Sequence, residues 1–126
     1  MVSNLLKQPY RIKENLSTAV KRLMKEKGLT QADLTRRSGL SKTIVSRIVR
    51  NTNDKGGYYT PTMPVIMMLG VGFSLSSIET KSQLFYAAFP EMEIVEAGLD
   101  ELLSIDSINA ILDNNALSLL GSNQEE

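Results

Sequence analysis

The stretch from Thr30 to Asn51, TQADLTRRSGLSKTIVSRIVRN, constrains the fold more than any other part of the chain. It holds two short helix-compatible segments separated by Ser38-Gly39, and each opens on a residue suited to capping a helix N-terminus. Thr30 stands three residues before Asp33, a variant of the capping box, and Ser41 precedes the run Lys42 to Arg50. Glycine at position 39 takes a left-handed conformation that other residues reach only at a cost, so a sharp turn is expected there. At about 100° per residue, Lys42, Thr43, Ser46, Arg47 and Arg50 fall within an arc of roughly 140°. Ile44, Val45, Ile48 and Val49 fill the opposite side. The second of these helices is therefore predicted to bury one face and to offer a wholly polar one, with Leu34, Leu40, Val45 and Ile48 filling the wedge between the pair.

The flanking sequence extends the helical pattern. Leu16, Val20, Leu23 and Met24 recur at helical spacing behind Asn15, with Lys21, Arg22, Lys25 and Glu26 turned outward and Gly28 as the stop. Asn51 to Thr60, NTNDKGGYYT, reads as a loop, and Pro61 and Pro64 mark the start of a fourth helix. Met63 to Leu75 carries no charge, so a helix there must be covered on several sides. A short helix is expected near Ser76 to Ser82. Two or three more are expected between Glu91 and Leu120, broken near Gly98, Ser104 to Asp106 and Asn114-Asn115. No period-2 pattern stands out, so the predicted class is all-α.

The formal net charge of zero conceals two opposed halves. Residues 1–55 hold 13 Lys and Arg against 4 Asp and Glu, whereas residues 56–126 hold 1 against 10. A basic half suits a polyanion partner, and an acidic one suits solvent or another protein. At 126 residues the chain fits one small domain with an appendage. It contains no cysteine and no histidine, which removes disulfides, the usual zinc ligand sets and histidine-based catalysis together. No metal, cofactor or enzymatic activity is expected. The N-terminal residues lack the apolar core of a signal peptide, and the longest apolar run falls short of the roughly 20 residues of a membrane span. A cytoplasmic protein without a membrane partner is the expectation.

Glu93, Glu96 and Asp100 share a helical face that reads as solvated. Gly70-Val71-Gly72 lacks the third glycine of a dinucleotide fingerprint and reads as a close-packing point. Tyr58 and Tyr59 suit either stacking or phosphate contact from the loop, or packing against the first helix.

Two short helices about a glycine turn, the second with a one-sided polar face, have the form of a helix-turn-helix. On L-T-Q-A-D-L at 29–34, S-G-L-S at 38–41 and I-V-S-R-I at 44–48, the chain resembles the phage-repressor and Cro-like (Xre) family. The resemblance covers residues 29–51 well and 14–78 loosely. It implies a lambda-repressor-like bundle of about five helices, operator binding on double-stranded DNA, and a homodimer on a two-fold site. Carried over residue by residue, it gives Lys42, Thr43, Ser46 and Arg47 to base edges and Gln31 to a phosphate. Arg50 and Lys55 are better placed for phosphates. The sequence departs from the family at Thr35, where alanine is common, in the long loop after the third helix, and in the glycines at 70 and 72.

The domain reading is a basic leader at 1–13, a DNA-binding domain at 14–82, and an acidic helical extension at 83–126. That extension is expected either to support a dimer or to bind a protein partner. The leading functional reading is a sequence-specific repressor. Two others stay open: an antitoxin that binds a toxin through 83–126 and represses its own operon, and an adaptor that keeps the fold without reading DNA.

Overall fold

Asn15 opens the first helix because its Oδ1 accepts the Thr18 N–H at 2.8 Å, and Gly28, at φ 65, closes it. The computed structural model describes residues 14–53 and 56–121. The expected leader at 1–13 lies outside them, as does Lys55. Helix α1 (Leu16–Lys27) is followed by α2 (Gln31–Ser38), α3 (Lys42–Arg50) and α4 (Met63–Gly72). Next comes a continuous helical run made of α5 (Ser77–Thr80), a π-helical turn (Lys81–Phe85) and α6 (Tyr86–Ala88), and then α7 (Glu91–Asp100) and α8 (Ile105–Asn114). Among the described residues there is no strand, and the all-α expectation holds.

The chain divides into two compact units, one spanning Lys13–Ala88 and the other containing Phe89–Glu126. In the first, α1 packs on α3 and α2 packs on both α3 and α4. Val20, Leu23, Leu34, Val45, Ile48, Ile66, Leu69 and Phe73 are removed almost completely from water. Each such side chain contributes about 1.5–3 kcal/mol of transfer free energy. In the second unit α7 packs against α8 over Ile94, Ile108, Ile111 and Leu112.

Three boundaries differ from the sequence reading. Helix α4 ends at Gly72 rather than reaching Leu75: Ser74 turns left-handed at φ 58, and the Leu75 N–H returns to Gly70 O at 2.9 Å. The short helix expected at 76–82 runs on to Ala88, with a wide turn in which the Tyr86 N–H donates to Lys81 O. Gly98 does not break a helix. It lies inside α7, and a Cβ there would come within 2.7 Å of Ile108 Cγ1, so the glycine is what lets α8 approach.

Candidate nucleic-acid interface

The polar face of α3 is positioned from its own ends. Ser41 Oγ accepts the Ile44 N–H at 3.1 Å and starts the helix. Asn51, left-handed at φ 54, ends it, with the Thr52 N–H donating to Arg47 O at 3.1 Å. Gly39 makes the turn from α2 at φ 78. Val45 and Ile48 are buried while Lys42, Thr43 and Arg50 are exposed and Ser46 and Arg47 half-buried. The five residues selected from the sequence thus share one side of α3, opposite its anchor.

A tie missed in the sequence fixes the far end of the helix. Ser17 on α1 is buried, and its hydroxyl donates to Val49 O at 2.7 Å. The available signal was a small polar residue on an otherwise apolar helix face. The loop after α3 is closed by Asn53, whose N–H donates to Gly57 O at 2.9 Å while its Oδ1 accepts the Gly57 N–H at 2.9 Å. The loop leaves Tyr58 exposed and Tyr59 half-buried. Burial raises the Tyr59 phenol above its usual range, and the positive charge of Arg47 acts in the opposite direction, so the two side chains are electrostatic neighbours. Tyr59 therefore belongs to the surroundings of Arg47.

Gln31 is exposed at the first position of α2. Part of that helix end is already occupied: the Thr30 N–H donates to the Asp33 carboxylate at 3.0 Å, and the Asp33 N–H donates to Thr30 Oγ1 at 3.1 Å. These bonds and the Arg36 guanidinium, 2.9 Å away, hold the Asp33 carboxyl below its ordinary range. Asp33 places a negative charge at this end, so a phosphate bound there would depend on Gln31 and the remaining N–H groups rather than on the helix dipole alone.

Two cations of the basic half serve the fold. Arg37 Nε donates to Gly72 O at 2.7 Å and its Nη2 to Ser74 Oγ at 2.8 Å, so its charge complements the C-terminus of α4 and not that of its own helix. Arg22, predicted to face outward, is half-buried and pairs with Glu14 at 2.9 Å and Glu26 at 3.1 Å while reaching Gln83. Gly72 completes the fixing of α2: a Cβ there would fall 2.9 Å from Ser38 Cβ and 3.2 Å from Ser38 Cα. A Cβ at Gly70 would come closer still to the Thr80 side chain. The close-packing reading of these glycines is the one the structure bears out.

Residues 19–69 match the family model of the Cro/C1-type HTH DNA-binding domain. Over that span the chain is similar to the Cro/C1-type helix-turn-helix family. Neither the curated proteins nor the solved structures contain a match to the chain. The match covers most of α1, all of α2 and α3, the loop and most of α4, which are the elements that hold the polar face of α3 outward. The match supports a DNA-binding transcription regulator. Among the described residues no helix is long and apolar enough to cross a membrane.

Proposed function

We propose that the protein is a repressor that binds a two-fold operator as a homodimer and blocks transcription by occupancy. The observation that carries this reading is the two-sidedness of α3 inside a Cro/C1-type domain: Val45 and Ile48 lock it down while Lys42, Thr43, Ser46 and Arg47 face away from the core. In this reading those four residues meet base edges. Arg47 forks onto guanine O6 and N7, and Thr43 offers its methyl to thymine or its hydroxyl to either base. Gln31, Arg50 and Lys55 meet phosphates and set the register.

One recognition helix reads only a few base pairs, so a rare site needs two copies about one helical turn apart. For the contact between copies, the uncharged helix α4 leaves Met63, Met67 and Val71 exposed along its length. That apolar stripe supports pairing through α4, with no charge to desolvate.

Selection from a randomised duplex pool near physiological salt tests the proposal. The expected result is an inverted repeat with half-sites about 34–36 Å apart. A salt-sensitive smear without a motif would reduce the basic face to nonspecific binding. On the selected site, Arg47→Ala should lose about 1–3 kcal/mol at one base pair and relax discrimination there. An equal loss on all sequences would reassign Arg47 to the backbone.

A further inference from the structure

The turn between α7 and α8 exposes three large apolar side chains within seven residues: Leu99 at 62%, Leu102 at 91% and Ile105 at 54%. The hairpin does not use them for its own packing. Its core is Ile94, Ile108, Ile111 and Leu112, with Val95, Leu103, Leu117 and Leu120 packed against it.

The backbone points the same way. Helix α7 ends with the Leu103 N–H donating to Gly98 O at 2.9 Å and the Leu102 N–H to Leu99 O at 3.1 Å, a closure that places residue 102 in the left-handed region, at φ 55. Glycine or asparagine suits that position, and leucine takes it only against steric resistance. A leucine that is strained by its backbone and almost wholly in water is accounted for by neither folding nor solubility. Asp100, Glu101 and Asp106 stand exposed beside it, and no lysine or arginine follows Lys81 in the sequence.

We propose that this turn is a docking surface for a cationic amphipathic segment of another protein. Its apolar side chains seat on Leu99, Leu102 and Ile105, and its lysines or arginines meet Asp100, Glu101 and Asp106. Charge decides the occupant. A second copy paired turn against turn would bring the same carboxylates against their equivalents, and like charges juxtaposed at an interface are costly. Nucleic acid is disfavoured for the same reason. The patch is roughly a few hundred Å², the scale of functional patches on monomers, so the association is weak and salt-sensitive.

The test is a titration of the isotopically labelled full chain with a short helical peptide of leucine and lysine in amphipathic register, followed residue by residue by NMR. Shifts confined to the amides of residues 99–106 are expected. Binding should weaken about tenfold or more in Leu102→Gly and in the double variant Asp100→Asn, Asp106→Asn. Leu102→Gly relieves the backbone and so keeps the hairpin folded, which makes a loss of binding a surface effect; retained amide dispersion checks this. The proposal is overturned by no binding, by binding unchanged in Leu102→Gly or in the double variant, by oligolysine binding as tightly as the amphipathic peptide, or by shifts centred elsewhere. Sedimentation of the full chain as a dimer that Leu102→Gly dissociates would also overturn it, by giving the turn to a second copy. None of these readouts involves DNA, so they are independent of the operator proposal.

Discussion

Thr35 sits half-buried in α2, and among the described residues its Oγ1 is a buried oxygen with no hydrogen-bond partner. A buried hydroxyl left unpaired costs about 1–3 kcal/mol, whereas an apolar group of the same shape carries no such penalty. Thr35→Val is therefore expected to raise the urea midpoint, by about 1 kcal/mol of stability. An unchanged or lower midpoint would mean that the hydroxyl finds a partner in solution. The converse holds for Ser17, whose paired hydroxyl donates to Val49 O: Ser17→Ala should lower stability by about 1 kcal/mol and weaken DNA binding by loosening the end of α3. The departure at Thr35 was visible in the sequence as a β-branched residue at a close helix approach. Its missing partner was not, because satisfaction of a hydroxyl depends on three-dimensional neighbours. The same limit applies to Arg37 and Tyr59. Residue type and helix position suggest a cation at the end of α2 and an aromatic in a loop, but only tertiary packing brings Arg37 to Gly72 O and Tyr59 within the electrostatic reach of Arg47.

Five helical segments end in the same closure, in which the second or third residue past the helix donates its N–H to the fifth carbonyl before it: Leu29 to Met24, Thr52 to Arg47, Leu75 to Gly70, Leu103 to Gly98 and Leu117 to Leu112. The preceding residue is left-handed each time, and is Gly28, Asn51, Ser74, Leu102 or Ala116. Where glycine or asparagine occupies that position the helix end was legible in the sequence, as at Gly28. Where serine, leucine or alanine does, the end of α4 was misplaced, because no local preference announces the turn. Gly98 misled in the other direction, since a glycine required by a neighbouring helix looks in sequence like one required by the backbone. Helix starts were read more reliably, because capping is a local bond: the Thr30–Asp33 box was predicted, and Ser76–Glu79 forms another. Both carboxyls titrate below their ordinary range because capping N–H groups donate to them. A group depressed in the folded state stabilises above its unfolded pKa of about 4 and loses that contribution as pH falls through the folded value. The chain has no histidine, so its urea midpoint should stay nearly flat from about pH 5.5 to 8 and drop below about pH 4. Asp33→Asn with Glu79→Gln should make that acid limb shallower. Gly72→Ala sets two element-level effects against each other. Alanine gains about 1 kcal/mol of helix propensity, but overpacking costs about 1–3 kcal/mol where the neighbour cannot yield. With Ser38 Cα 3.2 Å from the new Cβ, overpacking is expected to win, and the thermal midpoint should fall.

At the scale of the molecule, the charge asymmetry follows the division into units. The unit from Lys13 to Ala88 contains the Cro/C1-type match, and the residues from Phe89 onward contain no lysine or arginine. A chain ending at Ala88 is expected to unfold cooperatively and to bind the selected operator, because its apolar core is complete within those residues. Sedimentation of that chain also places the contact between copies. If the full chain is a dimer, a dimer retained after truncation supports α4, and a monomer points to the residues removed. The two opposed halves were legible from composition alone, since counting charges needs no coordinates. The use made of each cation was not, because Arg22 and Arg37 differ from Arg47 and Arg50 only in what lies opposite them in space. The closure of α3 at both ends, by Ser41 at its start and by Asn51 with the Ser17 bond at its finish, has a thermodynamic consequence for recognition. If α3 is the reading helix, its backbone is ordered before DNA arrives, so that part of the loss of conformational freedom is charged to folding and not to association. Differences in affinity between one operator and another then report the contacts themselves.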